Sequence, residues 1–516
     1  MEEKLTDQEL ARRAKLPKYK ELGVDPFGQK YDWKNQIRDI RKEYGEVEAE
    51  ELSSKEVHVD IAGRIMAIRD MGKAAFFNVK DEFGTIQVWI GKNVVGEDNY
   101  KVFKLEDVGD ICGVQGTLMK SRTGELTIRC SKFTHLSKCL KPLAEKYHGL
   151  TDLEDRCRRR YLDLIMNDTS RRTAILRPAI VKGIRDYCDS LGFTEVETPV
   201  LSPIAGGANA RPFITHHNAL DKDFYLRIAT ELNLKKCMIG GIDRVYEIGR
   251  IFRNEGMDNR HNPEFTTIEL YQAYGDLRDM MAWVEGMMHY VADKVVGKEE
   301  YDWNGNTINL AKPFKVITMA EAIKEKTGID FTDDIPFEKA VELAKEHKVP
   351  LEKAWNSTGY IMQAFFDEFV EPTLIQPTFI TTYPIEVSPL TKKTEDPRFV
   401  DRFELFIGGF EFGNAYSELN NPFDQKERFE AQMAARDRGD DEANVIDYSF
   451  LEAMEYGMQP AGGIGVGIDR LCMLLTEQPT IREVLLFPTL KLSTKTVNLN
   501  ARQICSLSVQ SNRINR

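Results

Sequence analysis

Short bursts of period-two alternation between Val57 and Cys130 constrain this chain's fold more than any other feature. Val57, Val59 and Ile61 alternate with polar residues, and Gly63-Arg64 follows. Phe77-Asn-Val79 and Ile86-Gln-Val88-Trp-Ile90 alternate again around the turn-like Asp81-Glu-Phe-Gly84, while Ile111–Leu118 and Leu126–Cys130 flank Thr123-Gly124, a hairpin-turn pair. Such alternation puts one set of side chains on each face of a strand. Four or five strands within about eighty residues predict a small all-β barrel. A five-stranded OB-fold fits best, and an SH3-like barrel stays open on the pattern alone.

Outside the barrel, taken as residues 55–139, the texture differs. Residues 1–54 are rich in Lys, Arg and Glu with sparse apolar positions, which predicts a helical extension. Residues 140–172 carry many charges and read as a connector. Helical periodicity then begins: Leu176, Ile180, Ile184, Tyr187, Cys188 and Leu191 lie near one helix face, and Gly192 is a natural stop. Strands and helices intermix over residues 173–490, with a helical insertion near 280–380 that includes stretches at Met280–Val296 and Phe337–His347. The expected class is therefore α+β. The tail, 491–516, holds five basic and no acidic residues with many Ser, Asn and Gln, and is expected to be poorly ordered.

Composition excludes several classes. The chain has 516 residues, 42% hydrophobic and 29% charged, the balance of an ordinary folded protein of two to four domains. No apolar run reaches the roughly 18 residues that span a bilayer, and the first residues lack an apolar signal core. Eight cysteines occur without a CxxC pair and eight histidines without an HExxH. The expectation is reduced thiols in the cytoplasm, with neither a disulfide framework nor a zinc site. Net charge is −12, but residues 1–150 hold 26 basic and 25 acidic residues, so the acidity lies in the rest. A polyanion would meet less repulsion in that first third.

Three segments carry chemistry. In Ile251–Tyr274, read as strand, loop, strand, Phe265, Thr267, Glu269 and Tyr271 share one face and Ile268 and Leu270 the other, while Arg253 and Glu255 share a face of the first strand. The loop adds Arg260 and His261, and an arginine fork suits phosphate or carboxylate oxygens. In Asp401–Leu419, a two-residue turn at Gly408-Gly409 would set Phe406 opposite Glu411 and Glu404 opposite Gly413. Glu404 and Glu411 then become diagonal neighbours, roughly 7–8 Å apart, able to share Mg²⁺ with water and phosphate. Asn414, Tyr416 and Glu418 form a second alternating set, and a bulge at Gly413 would bring both sets to one site. In Ala461–Leu475, alternate glycines let a flat ligand or another backbone approach a strand, and Asp469 and Arg470 open an apolar helix. Asp469 complements the helix dipole; Arg470 there suggests an anionic ligand. No GxxxxGK[ST] is present, which excludes a P-loop.

Together these segments resemble motifs two and three of class II aminoacyl-tRNA synthetases, and Gly192-Phe-Thr-Glu-Val-Glu-Thr-Pro-Val-Leu-Ser-Pro203 resembles motif one. An OB-fold ahead of the catalytic domain is shared by the aspartyl, asparaginyl and lysyl members. Gly206–Leu220, Tyr383–Leu390 and Gly413–Leu419 are similar to the lysyl members. The likeness spans about residues 10–490; the tail departs from the family and carries no expected role.

The resemblance implies an N-terminal OB-fold anticodon-binding barrel and a catalytic domain with a mainly antiparallel sheet flanked by helices. It implies a two-step reaction: lysine and ATP give lysyl-adenylate and pyrophosphate, and the lysyl group then passes to the 3′ end of tRNA(Lys). By the same likeness Arg253 and Arg470 are the catalytic arginines. Arg253 holds the α-phosphate and lysine carboxylate, Glu255 and Asn262 belong to the nucleotide site, and Arg260, His261 and Arg470 meet the β- and γ-phosphates. Phe265 and Arg470 sandwich adenine, and Glu404 and Glu411 hold Mg²⁺. Gly207 and Glu231 meet the α-amino group, Tyr271 and Glu418 the ε-ammonium, with Glu269, Asn414 and Tyr416 completing the pocket. Arg69, Phe76, Gln87 and Glu125 read the anticodon. Motif one implies a homodimer. The alternatives are an aspartyl or asparaginyl enzyme, which would need a cation where Glu231 and Glu418 offer anions, and a non-catalytic tRNA-binding relative, disfavoured by Arg253, Arg470, Glu404 and Glu411. A truncated lysine-to-protein ligase is disfavoured by the barrel.

Overall fold

A computed structural model describes residues 5–491 apart from 29, 144–149, 205, 208–209, 353–354, 389 and 438–445. The tail expected to be poorly ordered lies, from 492 onward, outside the described residues. The chain divides into two units, Met1–Gly149 and Leu150–Arg516.

In the first unit, strands β1 (His58–Asp70), β2 (Ala74–Lys80), β3 (Thr85–Gly91), β4 (Ile111–Lys120) and β5 (Leu126–Ser137) close a barrel in the order β1-β2-β3-β5-β4. β1 is long enough to pair with both β2 and β4, and the parallel β3–β5 pairing completes the closure. The inward set, including Ile61, Phe77, Val79, Ile86, Val88, Val114 and Ile128, is fully buried. Between β3 and β4 a short helix, Glu97–Phe103, plugs one end: Phe103 lies 5.1 Å from Phe77 and edge-on to Phe133 at 5.5 Å. Five strands in this order form an OB-fold, which removes the SH3-like alternative. Helices Asp7–Arg13, Leu16–Glu21, Ile37–Tyr44 and Ala49–Lys55 precede the barrel, and Tyr19, Ile37, Ile40 and Leu52 insert into its core. Sparse apolar positions suffice because each helix has another surface to lie on.

The second unit is built on an eight-stranded sheet. In chain order its strands are β6 (Thr194–Glu195), β7 (Arg244–Phe252), β8 (Glu264–Ala273), β9 (Lys315–Thr318), β10 (Thr378–Pro384), β11 (Phe399–Ile407), β12 (Phe410–Ser417) and β13 (Ala461–Gly467). Across the sheet they run β9-β10-β11-β12-β13-β8-β7-β6. The pairings at the two edges are parallel and those between are antiparallel. One face is covered by helices Asp168–Ser190, Leu277–Tyr290 and Ile468–Leu475, where Ile180, Ile184, Cys188, Met280, Met287 and Leu471 pack on Ile268 and Leu270. Gly192, at φ +76°, ends the first of these helices. Residues 291–377 add a hairpin (Glu300–Trp303 with Asn306–Asn309) and helices Met319–Thr327, Phe337–Glu346 and Thr358–Phe369, and they give the sheet its edge strand β9. This stretch is thus not wholly helical. Among the described residues no helix is long and apolar enough to cross a membrane.

Candidate active site

A cavity of about 520 Å³ opens on the sheet face that carries Phe265, Thr267, Glu269 and Tyr271. Alternate glycines of β13 form its floor. Gly463 pairs with Tyr271 and Tyr416, Gly465 with Glu269 and Asn414, and Gly467 with Thr267. Residues paired across neighbouring strands share a face, so bare backbone lies between two rows of functional groups. At Gly463 the space is required: a Cβ would fall 2.1 Å from Glu418 Oε1 and 2.4 Å from Tyr271 Cε1.

One end of the cavity is anionic. Glu231 opens the helix Glu231–Ile239, and Glu269 stands on β8. Glu418 follows β12, its side chain wholly buried. Lys235, one helical turn after Glu231, puts Nζ 2.6 Å from Glu231 Oε1 and 2.5 Å from Glu418 Oε2. The second contact is an ion pair without hydrogen-bond geometry, and Glu418 Oε1 has no hydrogen-bond partner. Thr230 N–H donates to Glu269 Oε1 at 3.3 Å. Burial, reinforced by the charge of Glu231, pushes the Glu269 carboxyl up to about 7. Burial also raises Glu418, against the attraction of Lys235. The Tyr271 phenol is raised by burial and then by its three carboxylate neighbours, so it stays a neutral donor.

The other end is cationic. Arg253 Nε donates to the Ile228 carbonyl at 3.4 Å, and its guanidinium lies 5.3 Å from the Phe265 ring centre. Asp258 folds the adjoining loop: its Oδ1 accepts the backbone N–H groups of Arg260 and His261 at 2.6 and 2.7 Å, and its Oδ2 faces His261 Nδ1 at 2.9 Å. Burial opposes ionisation of Asp258, but the bond from His261 and those from the two amides hold it down at about 2. His261 Nε2 meets Arg470 Nη2 at 3.2 Å, and Arg470 Nη1 donates to the Glu411 carbonyl. Arg260 stacks 4.1 Å over Phe410. The Asn262 side chain braces the loop, donating to the Glu264 carbonyl and accepting from Thr489 N–H.

Glu404 and Glu411 sit on the same wall. Tyr383 donates to Glu404 Oε2 at 2.8 Å and Arg402 pairs with Oε1. Burial raises the Glu404 carboxyl, Arg402 opposes that, and Glu411 adds to it. Glu411 is more open and lies 3.6 Å from Arg470 Nη1.

Residues 152–491 match the family model described as tRNA synthetases class II (D, K and N), and residues 59–136 match that of the OB-fold nucleic acid binding domain. Proteins named lysine–tRNA ligase from Streptococcus suis (strain 05ZYH33) and Streptococcus pneumoniae (strain CGSP14) are 55% and 54% identical to this chain over 490 residues, covering 95% of it and 99% of each relative. The chain belongs to the lysine–tRNA ligase family. Another member, from Streptococcus pyogenes serotype M49 (strain NZ131), is 54% identical over the same share.

In this family member, every expected residue of the catalytic unit except Glu418 lines the one cavity, and Glu418 lies directly behind Gly463. Three local expectations need correction. β7 stops at Phe252, so Arg253 and Glu255 stand on a loop: Arg253 N–H still bonds the Pro263 carbonyl, but Asn254 N–H turns to the Arg211 carbonyl. Gly408 and Gly409 do form the turn, at φ +63° and +74°, and Phe406 does face Glu411. Glu404, however, faces Asn414 rather than Gly413, because the extra residue of the bulge is Phe412. That bulge is what brings Asn414 and Tyr416 onto the wall that holds Glu404. Asp469 is more than a dipole partner, since its Oδ2 accepts Thr266 N–H at 2.7 Å and it pairs with Arg177.

In the barrel, Arg69 is paired with Phe76 and Phe76 with Trp89, on the outer face that also carries Gln87. Thr127 donates to Gln87 Oε1 at 2.9 Å, and Glu125 is ion-paired with Arg41 at 3.0 Å. Sequence reasoning missed Trp89, although its spacing of two from Gln87 signals the same face. It also missed Arg402, which binds the Val387 carbonyl, Ser388 Oγ and Asn414 Oδ1 and so fixes the Glu404 wall.

Proposed function

We propose that the cavity activates lysine with ATP and then transfers the lysyl group to tRNA(Lys), with the residue roles that follow. The observation that carries this reading is a pocket with Glu231 and Glu269 on its wall and Glu418 behind Gly463 at one end, and arginines at the other. A substrate with two ammonium groups and one carboxylate fits that polarity. Glu231 and Gly207 take the α-amino group; Glu418 and Tyr271 take the ε-ammonium; Glu269, Asn414 and Tyr416 complete the wall. Arg253 draws the lysine carboxylate and the α-phosphate together. A carboxylate oxygen bonds to the α-phosphorus as the bond to the β-bridging oxygen breaks, and pyrophosphate leaves toward Arg260, His261 and Arg470. The 3′-hydroxyl of the tRNA's terminal adenosine then takes the lysyl carbonyl and releases AMP. Positioning and charge stabilisation supply most of the catalysis in such transfers. Phe265 and Arg470 hold adenine between them, with Glu255 and Asn262 at the nucleotide's edge.

Glu404 and Glu411 suit Mg²⁺, being hard oxygen donors beside the phosphate end. Phosphate and water would complete its shell. When bound, the ion would neutralise phosphate charge. We further propose a cytoplasmic homodimer.

Glu418→Gln tests the lysine assignment. It should raise the lysine KM about 10–200-fold in ATP–pyrophosphate exchange with the ATP KM unchanged, since it removes a buried charge that pairs with the ammonium. An unchanged lysine KM would reject the role. In the barrel, Arg69, Phe76, Gln87 and Glu125 read the anticodon, Phe76 by stacking. Phe76→Ala should weaken tRNA binding by about 1–3 kcal/mol while lysine-dependent exchange stays at the wild-type rate. A filter-binding titration beside an exchange assay reads both.

A further inference from the structure

Lys235 occupies a place that the reaction scheme leaves unexplained. It is fully buried, a rare position for an ammonium, and it ties together two carboxylates from separate elements, Glu231 of its own helix and Glu418 after β12. Its Nζ lies 5.7 Å from the ring centre of Tyr271 on β8 and 5.9 Å from that of Phe450 on the helix Tyr448–Glu455. Among the described residues the cluster is also faced by Glu269 on β8 and Tyr416 on β12, with Arg253 acting on the first and Arg402 on the second. Lys235, like Glu418, is not part of the cavity wall, whereas Glu231 and Glu269 are.

We propose that Lys235 is a positioning residue that sets lysine specificity: it holds Glu418 ionised, keeps Glu231 in place, and leaves an anionic surplus to meet two ammonium groups. The proposal rests on the reading that this pocket takes lysine. Three carboxylates crowded at low exposure repel one another, and such a cluster sheds charge by taking up protons. A protonated glutamic acid would meet an incoming ammonium poorly. Lys235 is one internal cation set against Glu231, Glu269 and Glu418, so the cluster keeps an anionic surplus for the substrate's α- and ε-ammonium groups. Lys235 binds one oxygen of each partner, which leaves Glu418 Oε1, buried and without a hydrogen-bond partner beside Gly463, for the ligand. Burial opposes the Lys235 ammonium, but the pull of Glu231 and Glu418 outweighs it and the ammonium is held. Glu418, raised by burial and lowered by Lys235, would climb further without it.

The test is calorimetric titration of the full-length protein with lysine from pH 6 to 9, beside the KM values of the exchange reaction. In the wild type, affinity should rise with pH through about pH 7 and level off above about pH 8, with less than about half a proton released on binding at pH 8. Lys235→Met should lower lysine affinity at pH 7 at least about tenfold, leave the ATP KM unchanged, and move the midpoint of the pH profile up by about one unit or more. Lys235→Arg, which keeps the charge, should retain the wild-type midpoint even where its affinity falls. A Lys235→Met profile that is lowered but keeps its midpoint would overturn the proposal, as a structural role alone predicts that result. Should Lys235→Met not fold, release of one proton or more by the wild type at pH 8 would overturn it equally. Wild-type protein that ignores lysine altogether would instead refute the pocket assignment.

Discussion

Arg253→Ala is expected to lower lysine-dependent pyrophosphate exchange by about 10³-fold or more, the largest single loss in the molecule. Removing one donor that stabilises developing charge costs about 10²–10³-fold, and the guanidinium offers a fork to two partners at once. Its setting supports that role. Nε donates to the Ile228 carbonyl and the guanidinium lies 5.3 Å from the Phe265 ring centre, so the side chain has partners before substrate arrives. Lysine and ATP should still bind in calorimetry, because Glu231, Glu418 and the other arginines are untouched. A loss confined to KM with kcat intact would mean that Arg253 only binds.

Gly463→Ala should raise the lysine KM by more than about 10²-fold and cost about 1–3 kcal/mol of stability. The added carbon would sit 2.1 Å from Glu418 Oε1 and 2.4 Å from Tyr271 Cε1. Neither neighbour has room to retreat: Glu418 is held by Lys235, and both side chains are buried. Gly465→Ala is the matched control, since its Cβ would meet Glu269 Cγ at an ordinary 3.6 Å. Steady-state exchange on both variants, with thermal melts, separates a blocked pocket from a weakened sheet. Equal effects at the two glycines would contradict the geometry.

Much of this site is legible in the sequence because strands report their faces directly. Phe265, Thr267, Glu269 and Tyr271 fall on one side of β8, and Ile268 and Leu270 on the other, as period two requires. The barrel is legible for the same reason. What escapes are features that look ordinary locally. Phe412 sits between Glu411 and Gly413 as one more apolar strand residue, so the sequence does not mark it as the bulge. The end of β7 at Phe252 depends on a distant carbonyl, that of Arg211. Lys235 follows Glu231 by four residues, the spacing of countless exposed helical ion pairs. Only folding reveals that Glu418 lies on its other side. Arg402 escapes likewise, because apart from Glu404 its partners come from Val387, Ser388 and Asn414, a dozen or more residues away in sequence.

The central claim, that a surplus of carboxylate beside an ATP cradle selects a doubly cationic amino acid, is tested most directly by ATP–pyrophosphate exchange with each of the twenty amino acids in turn. Strong exchange with lysine, and rates lower by about 10²-fold or more with the rest, is the expected result. Preferential exchange with a neutral or acidic amino acid, or none with lysine, would contradict it.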